Sequence, residues 1–535
     1  MKATHIPFRK THFFSKMIID YLEKKTTIRS YYNHFPDIKG FAKQIQEKSI
    51  SSKYPEHNRK SRTILVEALQ NQYKNIDVSE HTHKNILSLQ NENTYTLTTG
   101  HQLNVFTGPL YFLYKIISTI NLCEELTKKF PENSFAPIYW MATEDHDFEE
   151  INHFYFRGKK IRWNRPSGGP VGRFSTEGLT QVFEVFSRQL GETKNANYLK
   201  TLFKKAYTTH SNLASATRYI VNELFKDYGL VIINGDDMNL KKQFSPFIKD
   251  ELLHKISYKA VSETTAELKK DYKIQVKPRE INLFYIKNNL RERIIEKEGR
   301  YRIGDTEIDF SKTDILQELK NHPERFSPNV MMRPLYQEVI LPNIAYIGGG
   351  GELAYWLELK AYFKKAGVSF PILMLRNSVQ VMAAKQQKKI DKLEISFEEL
   401  FLKQEDLLAK KVIAHSDISV DFEQKKIMLK QHFNELRMLA KQTDGSFIGA
   451  VNAQERKQMK GLENLKKRWL RAEKRRQQNL VFRITEIQNQ LLPNQGLEER
   501  QRNFSEYYLE YGTDFIKALK IALKPLRLEF TVLVL

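Results

Sequence analysis

Four apolar, strand-like runs, each ending in glycine or polar residues, constrain this chain more than any other feature. Residues 93–98 lead into "TTGHQLNVFTGPLYFLYKIIS", and Pro137–Ala142 ends in "TEDHDFEEINHFYF". Leu230–Ile233 runs into Asn234-Gly235-Asp236-Asp237, and Ile344–Ile347 into "GGGGELAYWLELKAYF". Helical spacing fills the intervals, so strands alternate with helices, as in an α/β domain built on a parallel sheet. In such sheets the ligand crevice lies outside the carboxyl ends of the strands. The four segments are therefore expected to converge on one cleft.

After the first run, Pro109 stands where a first helical turn tolerates a residue without an N–H. Leu110, Leu113, Tyr114, Ile117 and Ile120 then repeat at helical spacing. A strand, a tight glycine loop and a helix in that order leave backbone N–H groups for an anion. Gly100, His101, Gln102, Asn104, Thr107 and Gly108 are the candidate binding residues here, against the simpler reading of an ordinary turn.

The second junction places His146 between Glu144, Asp145 and Asp147, with Asn152 just beyond. A carboxylate beside an imidazole fixes its tautomer and raises its basicity, so His146 with Asp145 or Asp147 is the candidate general base. A capped helix start would also welcome these acids. A metal site is not expected, because there is no HExxH and no second dense cluster. The glycines Gly348, Gly349, Gly350 and Gly351 are followed by no GK[ST], so they form no Walker loop. Their use is close backbone approach to a ligand, with Glu352 and Tyr355 facing the same space. Arg333 and Arg376 flank strands and could fork onto a carboxylate or phosphate, or serve as surface ion pairs. No Gx[ST]xG elbow is present, which argues against nucleophilic hydrolysis.

At 535 residues the chain has room for two or three domains. An α/β core is expected over 1–377, interrupted at about 255–330 by a small β-containing insertion. From about 380 glycine and proline nearly vanish. Leu462, Leu465, Trp469 and Ala472, then Leu480, Ile484, Ile487 and Leu491, mark a coiled-coil seam. Two long helices, about 378–441 and 448–491, are expected to form an antiparallel arm. Residues 492–535 should return to the core as helix and a final strand. No apolar run reaches the roughly 18–20 residues that span a bilayer, and the start lacks a signal-peptide core, so a cytoplasmic location is expected. Cys123, the single cysteine, reads as packing. The net charge of +22 suggests anionic partners. Because it is spread along a lysine-rich chain, nucleic acid is not the expected one. The run "KKRWLRAEKRR" reads as a solvated face.

Taken in order, "TTGHQLNVFTGPLYFLYKIIS", "PIYWMATEDHDFEEINHF", "RPLYQEVILPNIAYIGGGGELAYW" and "QNQLLPNQGLEERQRNF" resemble the BshC family, the cysteine-adding enzymes of bacillithiol biosynthesis. The resemblance implies a Rossmann-like core related to nucleotidyltransferases and class I synthetases, with a coiled coil used for homodimerisation. It implies a ligase joining cysteine, through an amide, to the glucosamine amine of glucosaminyl-malate. Amide formation requires an activated carboxyl group, which makes ATP or ADP the candidate cofactor. The competing reading is a nucleotide- or RNA-binding accessory protein that keeps a synthetase-like core without ligase chemistry. Its best support is the basic arm Arg456–Arg476.

Overall fold

The computed structural model describes residues 1–50, 55–418, 420–443 and 445–535. The chain divides into two compact units. The first is Met1–Arg9, Phe13–Gln380 and Glu498–Leu533; the second is Lys10–His12, Val381–Leu497 and Val534–Leu535.

The first unit is organised by β1 (Thr94–His101), α1 (Tyr111–Lys129), β2 (Ser134–Met141) and β3 (Val231–Asn234). An inserted sheet follows, of β4 (Leu283–Lys287), β5 (Leu290–Lys297), β6 (Arg300–Ile303) and β7 (Phe326–Pro328). The core resumes with β8 (Asn343–Gly348), α2 (Gly350–Trp356) and β9 (Ile372–Leu375). The core sheet runs β9-β8-β1-β2-β3, and every neighbouring pair is parallel. All eight residues of β1 and all six of β8 are buried, as expected for a sheet covered on both faces. Cys123 sits on α1 among Tyr95, Leu97, Leu122, Leu126 and Phe135, and burial raises its thiol pKa. The chain steps outward from β1 to β3, then returns to lay β8 and β9 on the other side of β1. That reversal puts a switch point between β1 and β8, where such sheets bind ligands.

The insertion is antiparallel, with β6-β5-β4-β7 in that order. Its strands begin only at Leu283. Ile256–Leu268, which falls inside the expected β-containing stretch, is a helix.

In the second unit the antiparallel arm is α3 (Phe422–Ala440) on α4 (Gly445–Arg476), followed by α5 (Gln478–Leu491). Phe422 packs on Trp469, Lys466 pairs with Glu423 at 3.0 Å, and Arg437 pairs with Glu455, a register that only opposed directions allow. The expected continuous helix over 378–441 is broken. A left-handed residue, Glu394, stops one helix at Lys392, Ser396 caps a short next one, and Asp421 caps α3. Side-chain N-caps thus start new helices where no glycine or proline marks the break. The seam also differs from the expected one. Leu465 is 57 % exposed, and α3 and α4 close instead on Phe433, Ala440 and Val451. Ile484, Ile487 and Leu491 of α5 are buried. Among the described residues, no helix is long and apolar enough to cross a membrane.

One buried acid of the first unit makes stability depend on pH. Glu338 accepts hydrogen bonds from Asn343 Nδ2 at 2.6 Å and Gln337 Nε2 at 2.9 Å, with Lys48 at 3.6 Å. Burial pushes its pKa up to about 7, against the opposing pull of Lys48. Between about 4.5 and 7 the folded chain therefore holds a proton that the unfolded chain has released. Stability falls as pH rises through that window, by roughly 2–3 kcal/mol from this group. Urea midpoints from pH 5 to 8 should show this decline, and Glu338→Gln should flatten it. An unchanged slope in the variant would assign the decline to other groups.

Candidate active site

A cavity of about 730 Å³ lies over the carboxyl ends of β8, β1 and β2, a size that suits a small-molecule ligand. Its floor is at the switch point. Lys115, one turn into α1 and buried, donates from Nζ to the Gly100 carbonyl at 2.5 Å and pairs with Glu352 Oε2 at 2.6 Å. Glu352 also accepts from the Tyr346 hydroxyl at 2.6 Å and from the Gly349 N–H at 2.8 Å, which caps the start of α2. Burial alone would raise the pKa of Glu352, but Lys115 and these donors outweigh it and hold the carboxylate below its ordinary range. Burial lowers the pKa of Lys115 in turn, only partly offset by Glu352.

The glycines at this point have separate reasons. A Cβ on Gly100 would come within 3.2 Å of the Tyr346 hydroxyl, beside the Arg333 guanidinium. A Cβ on Gly348 would meet Leu353 at 2.8 Å and Tyr346 at 2.9 Å, so glycine lets the first turn of α2 fold back onto β8. Arg333 stacks between the Trp140 and Tyr346 rings, at 5.9 and 5.6 Å from their centroids. Tyr355 lines the same wall.

Arg376, after β9, does not fork onto an open cleft as expected. Its Nη2 donates to Glu499 Oε1 at 2.7 Å and its Nη1 to Glu499 Oε2 at 3.1 Å, a pair buried on both sides. Only its Nε is left without a partner. His101 ends β1 between Tyr111 and Phe112, with Nε2 buried and unpartnered. Burial, then the charges of Lys115 and Arg376, push its pKa well below the ordinary histidine value, so the ring is neutral.

The far end of the cleft is the acidic junction after β2. Asp145 accepts from Gln102 Nε2 at 2.9 Å and from the His146 N–H at 2.8 Å. Its burial would raise its pKa, but the bonds from His146 and Gln102 and the charge of Arg291 hold it well below the carboxylate range. The His146 ring does not bond to that carboxylate, as Nδ1 lies 3.7 Å from Asp145 Oδ1. Instead Arg291, brought in by β5, donates from Nη1 to His146 Nδ1 at 2.5 Å while its guanidinium rests on Phe284. A neutral imidazole that accepts at Nδ1 carries its proton on Nε2. The expected base is thus placed as a hydrogen-bond donor. Glu144 pairs with Lys241 at 2.5 Å at the edge of the cleft.

Other expected residues lie elsewhere. Asp147 is exposed at the start of a four-residue helix and does not line the cavity. Asn152 is fully buried beside His153. Gly348 and Gly350 lie behind the wall that Gly349 and Gly351 present. Asn104, Thr107 and Gly108 do not line the cavity, and backbone N–H groups of their loop are used internally. Thr107 bonds to Asn104 O, Gly108 to Val105 O, and Phe106 to the Tyr207 hydroxyl. Phe106 and Thr107 hold left-handed backbone so that the Phe106 ring can enter a cluster of Phe154, Phe186, Phe203 and Phe504. The third strand end also misses the cleft. Asp236 is taken by Arg173 at 2.8 Å and Lys241 at 3.2 Å, and Asp237 caps the helix Met238–His254.

Sequence reasoning missed Lys115, Arg291, Arg500 and, in the irregular chain before β4, Lys277 and Arg279, all of which line the cavity. Lys115 carried a signal, as the one charged residue on an otherwise apolar stretch of helix. The lining holds eight Lys and Arg side chains against three carboxylates, so the cleft favours an anion. Among the described residues no group of three or more His, Cys, Asp or Glu is placed to hold a metal ion.

The family model for the N-terminal Rossmann-like domain of bacillithiol biosynthesis BshC matches residues 1–377, and that for its C-terminal coiled-coil domain matches residues 379–535. Three relatives share the name "Putative cysteine ligase BshC". Those of Flavobacterium psychrophilum and Flavobacterium johnsoniae are 56% and 54% identical, over all of this chain and 99% and 100% of their own. That of Christiangramia forsetii is 53% identical over all of this chain and 99% of its own. A crystal structure described as a putative arginyl-tRNA synthetase from Campylobacter jejuni matches 82% of this chain and 97% of its own, at 11% identity and a TM-score of 0.22. On the family models and the close relatives, this chain belongs to the bacillithiol biosynthesis BshC family.

Proposed function

We propose that this protein is a carbon–nitrogen ligase that joins the carboxyl group of cysteine to the glucosamine amine of glucosaminyl-malate, the closing step of bacillithiol synthesis. Family membership and the shared name of the relatives support the reaction class. The observation that carries it to this cleft is the excess of cations around a cavity sized for a sugar acid. Malate brings two carboxylates, and Arg333 and Arg500 offer charges to match them.

The amine attacks the cysteine carbonyl carbon, the new C–N bond forms, a bond from that carbon to oxygen breaks, and the nitrogen releases a proton to water. The leaving oxygen must first be made a good leaving group, which is the chemistry a bound nucleotide such as ATP supplies. Buried donors without partners, Arg376 Nε and Arg291 Nε, fit phosphate or carboxylate oxygens equally. His146, oriented by Arg291, directs Nε2–H toward the carbonyl oxygen that gains charge during attack. Gln102 and Asp145 hold the backbone of His146 in place. The exposed pairs Ile427–Met428 and Met438–Leu439, eleven residues apart on one face of α3, support a homodimer through the arm.

Cells lacking the gene test the reading directly. They should lose bacillithiol and accumulate glucosaminyl-malate, and the cloned gene should restore both levels. Normal thiol in the deletion would sink it.

A further inference from the structure

The second unit carries a feature that amide formation does not use. Helix α4 has ten Lys and Arg residues and three acids, so it alone contributes +7 of the net +22. Each of the three acids is already engaged. Glu455 pairs with Arg437, Glu463 with Lys426, and Glu473, which is buried, meets Ser416 and Gln477. Lys457, Lys460, Lys467, Arg468, Arg471 and Arg475 are exposed, and none forms an ion pair among the described residues. At 3.6 residues per turn these six fall within a sector about 100° wide, opposite Glu455 and Glu473, with Glu463 outside its edge. The stripe runs about 27 Å along a straight helix at 1.5 Å per residue.

We propose that this face of α4 docks the phosphate backbone of a nucleic-acid duplex. Six unneutralised charges in a rigid line match a linear polyanion that carries a charge about every 1.7 Å of its axis. Other partners fit less well. A lipid surface would call for apolar side chains inside the sector, and a protein interface for an apolar centre, but no side chain in the sector other than Asn464 interrupts the cations. A second copy of the chain would present the same charge. Single strands are bound by aromatic platforms, and Trp469 packs away against Phe422. The proposal is independent of the ligase reading, since no residue of the stripe lines the cleft.

Fluorescence anisotropy of the full-length protein with 24-base-pair DNA and RNA duplexes, at increasing potassium chloride, tests it. Binding to one or both duplexes should weaken with salt at a log–log slope of about −3 or steeper. Lys467→Glu with Arg468→Glu and Arg471→Glu should weaken it at least tenfold and remove about 2 to 3 from the slope. The charge-matched triple at Lys194, Lys204 and Lys205, on the exposed face of the helix Lys194–Thr209, should change it less than twofold. Amide formation should be equal in all three proteins. Equal losses in both triples, or no binding to either duplex at 50 mM salt, would overturn the proposal. So would binding to phosphatidylserine vesicles, but not to duplexes, that the stripe triple abolishes.

Discussion

Glu499→Ala is expected to cost about 3–5 kcal/mol of stability, the largest loss anticipated for any single change near the cleft. The side chains of Arg376 and Glu499 are 4% and 1% exposed, so neither charge has water to fall back on. The carboxylate takes both arms of the guanidinium and also the Val379 N–H at 3.1 Å. Without it, Arg376 is left with the Asn377 carbonyl, the Ser378 hydroxyl and the Tyr111 ring, and it lies close enough to depress the pKa of Lys115. Glu499→Gln retains an acceptor and should lose less. Three of the four tryptophans, Trp140, Trp163 and Trp356, belong to the first unit, so the main change in tryptophan fluorescence during urea unfolding reads the relevant transition. A loss under about 1 kcal/mol in Glu499→Ala would mean that the buried arginine finds another partner.

How far the sequence disclosed the site follows from which contacts are local. The ends of β1, β2 and β8 were legible, because an apolar run stopping at glycine or acid is a local pattern, and parallel order carries those ends to one edge. The third end was misjudged for a nonlocal reason. Whether Asp236 is free depends on Arg173, more than sixty residues earlier, and on a lysine one helical turn later. The same holds for the loop at Gly108. Its glycine and proline suggested an anion cradle, but Asn503 donates to the Phe106 and Gly108 carbonyls from the other end of the chain. Arg376 looked available until Glu499 appeared beside it. Coiled-coil spacing foretold helices on the arm but not which face would close, since apolar residues such as Leu465 recur on the open side too.

The role of His146 is the sharpest case, because residues close in sequence and a residue far from them make opposite statements. Read with its acidic neighbours, it is a base; read with Arg291, it is a donor. The two roles separate in kinetics of the purified protein. A donor that steadies the carbonyl oxygen in the transition state contributes to kcat, and its removal costs about 10²–10³. His146→Ala should therefore lose that much in kcat with little change in KM. His146→Gln, which retains an N–H donor but cannot accept a proton, should stay within about tenfold of the parent. Arg291→Ala frees Nδ1, lets the proton settle on either nitrogen, and should lower kcat less than His146→Ala does. If His146 takes the proton from the amine instead, the glutamine variant should be as inactive as the alanine one. Removing Arg291 should then leave the rate unchanged or raise it, because the lone pair it occupies would be released. The glutamine variant thus decides the role, and Arg291→Ala identifies the group that imposes it.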